Sequence, residues 1–265
     1  MSSYGTFAQY YDRLTQNVRY AERAGRLNGL IGKWQRPDMP ERILLDLACG
    51  TGSLTEEFAR LGWDVIGIDS SAEMLSEALD KKYDSGLPVQ YLQQDMRRLD
   101  LYGTVAVTVC ALDSLNHLPS ADALRQVMER VNLFSEAGAL FLFDLNTAYK
   151  HRKVLADNAF VYELSDAVCV WQNALSDTAP EYPVTIRLDF FEQLDGNKYR
   201  RSSEEFTERV WQPEAVKVLL AETGFTLLEL LDGDTFAEPS ETAQRLLYIA
   251  RAAGGQQMRR EDMPE

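Results

Sequence analysis

Apolar residues recur at spacings of three and four over residues 19–36 (Tyr20, Ala24, Leu27, Leu30, Ile31, Trp34), which predicts an amphipathic helix ended by Pro37 and Pro40. Ahead of it, Tyr4, Phe7 and Tyr11 share a helical spacing, so residues 1–18 carry a helix with an aromatic face. The adjacent Tyr10 and Tyr11 point in different directions on such a helix, so one of them faces a cleft or turns away from the body. From residue 42 the pattern changes. Residues 42–47, 63–69, 89–93, 105–111 and 139–145 are short apolar runs, and helical patterns over 53–60, 72–82 and 120–134 separate most of them. Gly62 caps the first of these helices, Ser70 or Ser71 starts the second, and Ser120 or Asp122 starts the third, which Gly138 breaks. The run 105–111 is almost purely apolar, which suits a central strand buried on both faces.

Beyond residue 146 the runs 160–164, 168–174, 184–193 and 199–209 are strand-like and partly alternating, with Asp195-Gly196-Asn197 as a hairpin turn. They read as a small antiparallel sheet inserted into an α/β unit. A helix over 213–222 follows, begun by Pro213 and capped by Gly224, then strands over 225–231 and 245–251. The polar, glycine-led tail 254–265 is expected to be disordered. Alternating strands and helices imply a parallel sheet with helices on both faces. In such sheets ligands bind beyond the carboxyl ends of the strands, where the strand order reverses. Asp46, Asp69, Asp95 and Asp113 each lie at or just past such an end.

Composition narrows the function classes. A net charge of −14 and no basic run longer than a pair disfavour a nucleic-acid partner. Three scattered cysteines suit a reducing compartment, and with only two histidines, His117 and His151, they form no ligand pattern; no protein-bound metal is expected. His151, in a Lys/Arg-flanked stretch, reads as a solvated loop residue. With no signal-peptide pattern and no apolar run long enough to span a bilayer, the expectation is a cytoplasmic protein without a membrane partner.

The stretch Asp46-Leu47-Ala48-Cys49-Gly50-Thr51-Gly52-Ser53 joins a strand to a helix start through a glycine turn. Glycine admits positive φ and a close ligand, and the helix start offers free N–H groups. A dinucleotide fingerprint needs a third glycine, but Thr55 stands there. Asp46 would also repel a pyrophosphate. It suits a cationic ligand, and S-adenosylmethionine carries a sulfonium and an ammonium group. Asp69 is placed to accept from the ribose hydroxyls and Asp95 from the adenine amine, with Met74 and Met96 packing on the adenine faces.

The run 44–52 closely resembles the first motif of class I S-adenosylmethionine-dependent methyltransferases. Ile68-Asp69-Ser70-Ser71-Ala72-Glu73-Met74-Leu75 resembles the second, Gln94-Asp95-Met96-Arg97 the third, and 110–118 the segment after the fourth strand. Phe7-Ala8-Gln9-Tyr10-Tyr11-Asp12 and the inserted strands resemble amino-sugar N-methyltransferases and YqeM-like methyltransferases. The resemblance implies a Rossmann-like, mostly parallel seven-stranded sheet with its last strand antiparallel, over 41–147 and 210–253. It also implies a helical lid over 1–40 and an inserted sheet over 148–209 that shapes the acceptor pocket. Tyr10, Ala48, Gly50, Thr51, Gly52, Ser70 and Ala111 join Asp46, Asp69, Met74, Asp95 and Met96 as expected cofactor contacts.

Methyl transfer from a sulfonium is an in-line displacement, so the protein must mainly align the partners and exclude water. His117, in the loop after 105–111, is the candidate base, with Tyr11 as an acceptor-orienting hydroxyl. The expected acceptor is a small polar molecule with a nucleophilic nitrogen or oxygen. A protein or RNA acceptor, a cofactor-binding protein without turnover, and a nucleotide-dependent oxidoreductase are the alternatives. The sequence leaves monomer and homodimer open.

Overall fold

The computed structural model describes residues 5–38, 42–176, 181–196 and 198–254. Tyr4, Pro40, Asn197 and residues 255–265 of the expected tail lie outside the described residues. Helices α1 (Gly5–Leu14) and α2 (Tyr20–Trp34) lead into β1 (Ile43–Leu47), α3 (Ser53–Arg60), β2 (Asp64–Asp69), α4 (Ala72–Ser85) and β3 (Gln90–Gln93). Then come β4 (Val105–Cys110), α5 (Ala121–Leu133) and β5 (Ser135–Asn146). The four strands β6 (Ala159–Glu163), β7 (Ala167–Leu175), β8 (Val184–Gln193) and β9 (Tyr199–Glu208) follow. The chain closes with α6 (Pro213–Glu222), β10 (Phe225–Asp232) and β11 (Arg245–Ala252).

The main sheet has seven strands in the order β10-β11-β5-β4-β1-β2-β3. All pairings from β5 to β3 are parallel, and β11 runs antiparallel to both β5 and β10. The order reverses between β1 and β4, so the loops after these two strands border the crevice where such sheets bind ligands. Period-two alternation in β5 divides the core. Phe141, Phe143 and Leu145 face α5 and α6 with Tyr248 and Trp211, while Leu140 and Leu142 face α2 and α3 with Leu27, Ile31 and Phe58. Each such side chain contributes about 1.5–3 kcal/mol by leaving water, so Phe143→Ala would cost about 3–5 kcal/mol.

Gly138 does not end a helix. It lies inside β5, at φ 90°, where the register with β4 jumps from Val105↔Ser135 to Val107↔Leu140. The extra residues form a bulge, and glycine fits its left-handed backbone. Of the two serines weighed as a cap for α4, Ser71 accepts the Met74 N–H.

Strands β6–β9 form a separate four-stranded antiparallel sheet. Along β8, Val184, Ile186, Leu188 and Phe190 are all fully buried at alternate positions. They meet α1: Phe7 stacks on Phe206 and Tyr10 on Phe190, and the Phe7 N–H donates to Glu204 at 2.8 Å. This sheet therefore buries one face beneath the N-terminal helix.

Candidate active site

The turn after β1 takes left-handed backbone at Ala48 (φ 62°), Gly50 (56°) and Gly52 (75°). The Gly52 N–H donates to the Cys49 carbonyl at 3.0 Å and closes it. The two glycines serve different ends. Gly50 faces open space, as a ligand cradle requires. A Cβ on Gly52 would instead lie 2.9 Å from Tyr91 Cζ and 3.1 Å from Ala78 Cβ. The second glycine thus makes room for the β3 tyrosine.

Asp69, at the end of β2, is oriented by this turn. Its Oδ2 accepts the Gly50 N–H and its Oδ1 the Ser71 N–H, both at 2.8 Å. Burial raises its carboxyl, and the bonds from Ser71 and Gly50 oppose that rise. Asp46 is 2% exposed, with Oδ2 accepting the Thr55 hydroxyl at 2.6 Å. Burial pushes it up to about 7; the Thr55 bond lowers it and the Asp69 charge raises it. Two carboxylates raised by burial at the edge of one cleft form a site that favours a positive ligand. Asp95 differs: its oxygens accept from the Arg97 N–H at 2.9 Å and from Arg97 Nε at 3.0 Å, and the Arg97 bond holds it below its ordinary value.

Two cavities flank the turn, and Ala48 and Ser114 line both. One, about 200 Å³, is bordered by Asp69, Ser70, Asp95, Met96 and His117. The other is narrower and is bordered by Tyr11, Asp46, Gly50, Thr51 and Ala111. Thus most of the expected cofactor contacts converge on one cleft. Three do not line it. Gly52 packs on Tyr91. Met74 and Tyr10 are buried in the cluster between α1 and the four-stranded sheet. The reason for Tyr10 is geometric: a step of about 100° around α1 turns it toward Phe190 and turns Tyr11 toward the cleft. Burial holds the Tyr11 phenol well above its ordinary value, so at neutral pH it is an O–H donor and not a base.

Asp12, which the sequence marks only as the end of the N-terminal motif, ties α1 to the turn. Its Oδ1 accepts the hydroxyls of Thr51 at 2.7 Å and Ser53 at 2.9 Å, and its Oδ2 pairs with Lys81. Lys81 also donates to Ser53 at 2.6 Å. Nothing in the local pattern marks an aspartate as the partner of a threonine 39 residues away.

The loop after β4 is held by a buried charge network. Leu112 and Asp113 are both left-handed, at φ 59° and 58°. Asp144 stabilises that bend by accepting both N–H groups, at 3.0 and 2.7 Å, and it pairs with Arg23 at 2.7 Å and Arg245 at 2.6 Å. Asn116 and Asn146 fasten the loop to β5 and to the chain after β9: Asn116 Oδ1 accepts the Asn146 N–H at 2.9 Å, and Asn116 Nδ2 donates to the Arg209 carbonyl at 2.6 Å. His117 at the end of this loop packs tilted against Phe206, with ring centroids 5.2 Å apart. One atom each of His117, Asp113 and Glu208 lie within 4.8 Å of one another. The Asn146 amide donates to both carboxylates, at 3.0 and 2.8 Å, and Arg245 adds a bond to Asp113 at 2.7 Å. Glu208 also escaped the sequence reading, because it ends a polar strand in the sheet of β6–β9.

His151 is not a solvated loop residue. It is fully buried in a helical turn, Lys150–Leu155, and its Nδ1 lies 2.9 Å from the Tyr182 carbonyl oxygen. Charged neighbours in sequence misled here, because Arg152 and Lys153 point elsewhere while the imidazole turns inward.

Comparison with known proteins agrees with this geometry. A methyltransferase-domain family matches residues 44–133. YqeM of Bacillus subtilis (strain 168), a methyltransferase by name, is 33% identical over 94% of this chain and 96% of its own. The crystal structure of an S-adenosylmethionine-dependent methyltransferase from Clostridium acetobutylicum superposes with a TM-score of 0.82 at 29% identity, over 95% of this chain and 99% of that one. The sugar N-methyltransferase KedS8 from a Streptoalloteichus species shares the fold, with a TM-score of 0.72 at 20% identity over 91% and 92% of the two chains. A paired-acid cleft that suits a cationic nucleoside, on this strand order, and a relative matched along nearly its whole length lead to one assignment: the chain belongs to the class I S-adenosylmethionine-dependent methyltransferases.

Proposed function

We propose that the enzyme methylates a nucleophilic nitrogen or oxygen of a small polar molecule, with nitrogen preferred. The carrying observation is the convergence of His117, Asp113 and Glu208 beside the cofactor cleft. Two carboxylates and an imidazole around one position favour a group that donates hydrogen bonds and can carry positive charge, as an amine does. The name of KedS8 is consistent with a small amino acceptor.

In this reading Asp69 and Ser70 hold the ribose side of the cofactor, and Asp95 and Met96 its adenine side. Asp46, Gly50, Thr51 and Ala111 hold its amino-acid end. When bound, the cofactor supplies a methyl group already activated by the positive sulfur. His117 takes up an acceptor proton, and Tyr11 donates a hydrogen bond in the cleft. Residues 1–40 act as a lid, with Asp12 as its fastening. Residues 41–147 and 210–253 carry the cofactor, and 148–209 shape the acceptor pocket through Phe206 and Glu208. Excluding water and aligning the reactants is the larger part of the rate, with general-base help adding about 100-fold or more.

The test is a screen of small amines and hydroxy compounds read as S-adenosylhomocysteine release, with His117→Ala as control. Turnover on an amine that falls about 100-fold in the variant supports the reading. Methylation only of an added protein or RNA would overturn it.

A further inference from the structure

Beside the acceptor position lies a group the reaction has not yet used. The Tyr182 carbonyl can only accept, so His151 Nδ1 carries the ring proton. Its other nitrogen, Nε2, is buried without a hydrogen-bond partner among the described residues, 3.4 Å from Glu208 Oε2. A bare imidazole lone pair and a carboxylate oxygen are then two acceptors face to face. In a buried site that arrangement is costly, and a single proton between them removes the cost. Glu208 is 3% exposed, and its same oxygen takes the Asn146 amide at 2.8 Å. One oxygen of its carboxylate also lies within 4.8 Å of one atom each of His117 and Asp113.

We infer that Glu208 and His151 form a proton-accepting pair for the methyl-accepting nucleophile, in addition to His117. The inference rests on the proposed acceptor position. As the acceptor atom would form its new bond to the methyl carbon, the carbon–sulfur bond would break with its electron pair staying on sulfur, and the acceptor's N–H or O–H bond would break with its pair staying on the acceptor atom. The proton passes to the Glu208 carboxylate and is shared with His151 Nε2. Glu208 is the group that meets the acceptor; His151 is a positioning residue that acts through it. The other charged groups facing the pair are Asp113 and His117 from the loop after β4, Lys150 beside Asn146, and Arg245 at the start of β11. Asp113 cannot take this part. Burial raises its carboxyl, but Arg245, Lys150 and His117 more than offset that and hold it well below its ordinary value.

The chain has two histidines, so the ring-nitrogen NMR spectrum of ¹⁵N-histidine-labelled protein contains two sets of signals, which His117→Asn assigns. The expected result is that Glu208→Gln shifts the His151 Nε2 signal, because an amide that can donate replaces the carboxylate facing that lone pair. Identical His151 signals in Glu208→Gln and the parent protein would overturn the pair. This measurement uses neither cofactor nor acceptor. Calorimetric binding of S-adenosylmethionine to the same samples reports separately on the methyltransferase site, so the two readings fail separately. Should Glu208→Gln not fold, His151→Gln, which keeps a donor toward Glu208, is the second variant. On an acceptor found by the screen, its kcat should fall about 100-fold below pH 7 with KM for the cofactor unchanged, and the acid limb of the pH–rate profile should shift. An unchanged profile overturns the inference.

Discussion

Asp12 on α1 accepts the hydroxyl of Thr51 in the glycine turn at 2.7 Å, and Lys81 on α4 pairs with the same aspartate. The N-terminal helix is therefore fastened to the wall of the cleft by polar contacts. Asp12→Ala should leave the sheet intact and loosen α1. The expected outcome is faster proteolytic cutting near residues 15–18 and cofactor release about tenfold faster by stopped flow. Equal release rates would mean that α1 does not govern exit.

The acid at the end of β1 makes the second prediction. Burial sets Asp46 at about 7 against an ordinary 3.8, so folding favours its protonated form. Its contribution to stability is full below the ordinary value and is lost as pH rises through about 7. Asp46→Asn, neutral at every pH, should thus make the ligand-free protein about 1–3 kcal/mol more stable than the parent at pH 8, a gap that closes toward pH 4. A cationic ligand reverses the preference, because it stabilises the carboxylate. S-adenosylmethionine affinity should therefore rise about tenfold from pH 6 to pH 8 and become flat in Asp46→Asn. Calorimetry in buffers of different ionisation enthalpy reads the released proton directly. The same pH slope in both proteins would remove Asp46 from the site.

Neighbouring tyrosines on α1 should separate cleanly. Tyr11 borders the cleft, whereas Tyr10 stacks on Phe190 and reaches Glu192 at 3.4 Å. Tyr10→Phe is expected to change cofactor Kd less than twofold and to cost about 0.5–1.5 kcal/mol in denaturant unfolding. Tyr11→Phe should keep stability close to the parent and lower kcat. Swapped phenotypes would reverse the assignment of the two faces.

Most of the sheet was legible in the sequence. The runs at β1, β2, β4 and β5 are apolar, short and bounded by turn residues, and their acids fall where strands end. The pairing of Asp69 with the Gly50 N–H follows from that placement. The rest depended on contacts that no local pattern encodes. Asp12 meets Thr51, Glu208 meets Asn146, and Arg245 meets Asp113 across long stretches of chain. Each is a polar residue in an unremarkable setting until elements far apart in sequence come together. The surroundings of Gly52 and His151 were hidden for different reasons. One answers to a tyrosine on another strand, and the other is buried although Arg152 and Lys153, which follow it, are exposed.

The buried network around Asp144 gives the largest stability prediction. Asp144 is 1% exposed, pairs with Arg23 and Arg245, and accepts the N–H groups of two left-handed residues. Asp144→Asn leaves the two guanidinium groups without their common carboxylate and should cost about 3–5 kcal/mol by urea unfolding. Because the same residue holds the loop that carries His117, turnover should fall together with stability. A loss below 1 kcal/mol would show that solvent reaches the two arginines.

The position of β11 also bears on how the chain is made. It lies between β5 and β10, in the interior of the sheet, yet it is translated after every other strand among the described residues. Until it emerges from the ribosome, β5 presents unpaired N–H and C=O groups along its length, and β10 has no neighbour. A nascent chain is therefore an open sheet with an adhesive edge, the kind of edge that recruits foreign strands. Its solubility during synthesis depends on how soon the final strand slides into the waiting gap.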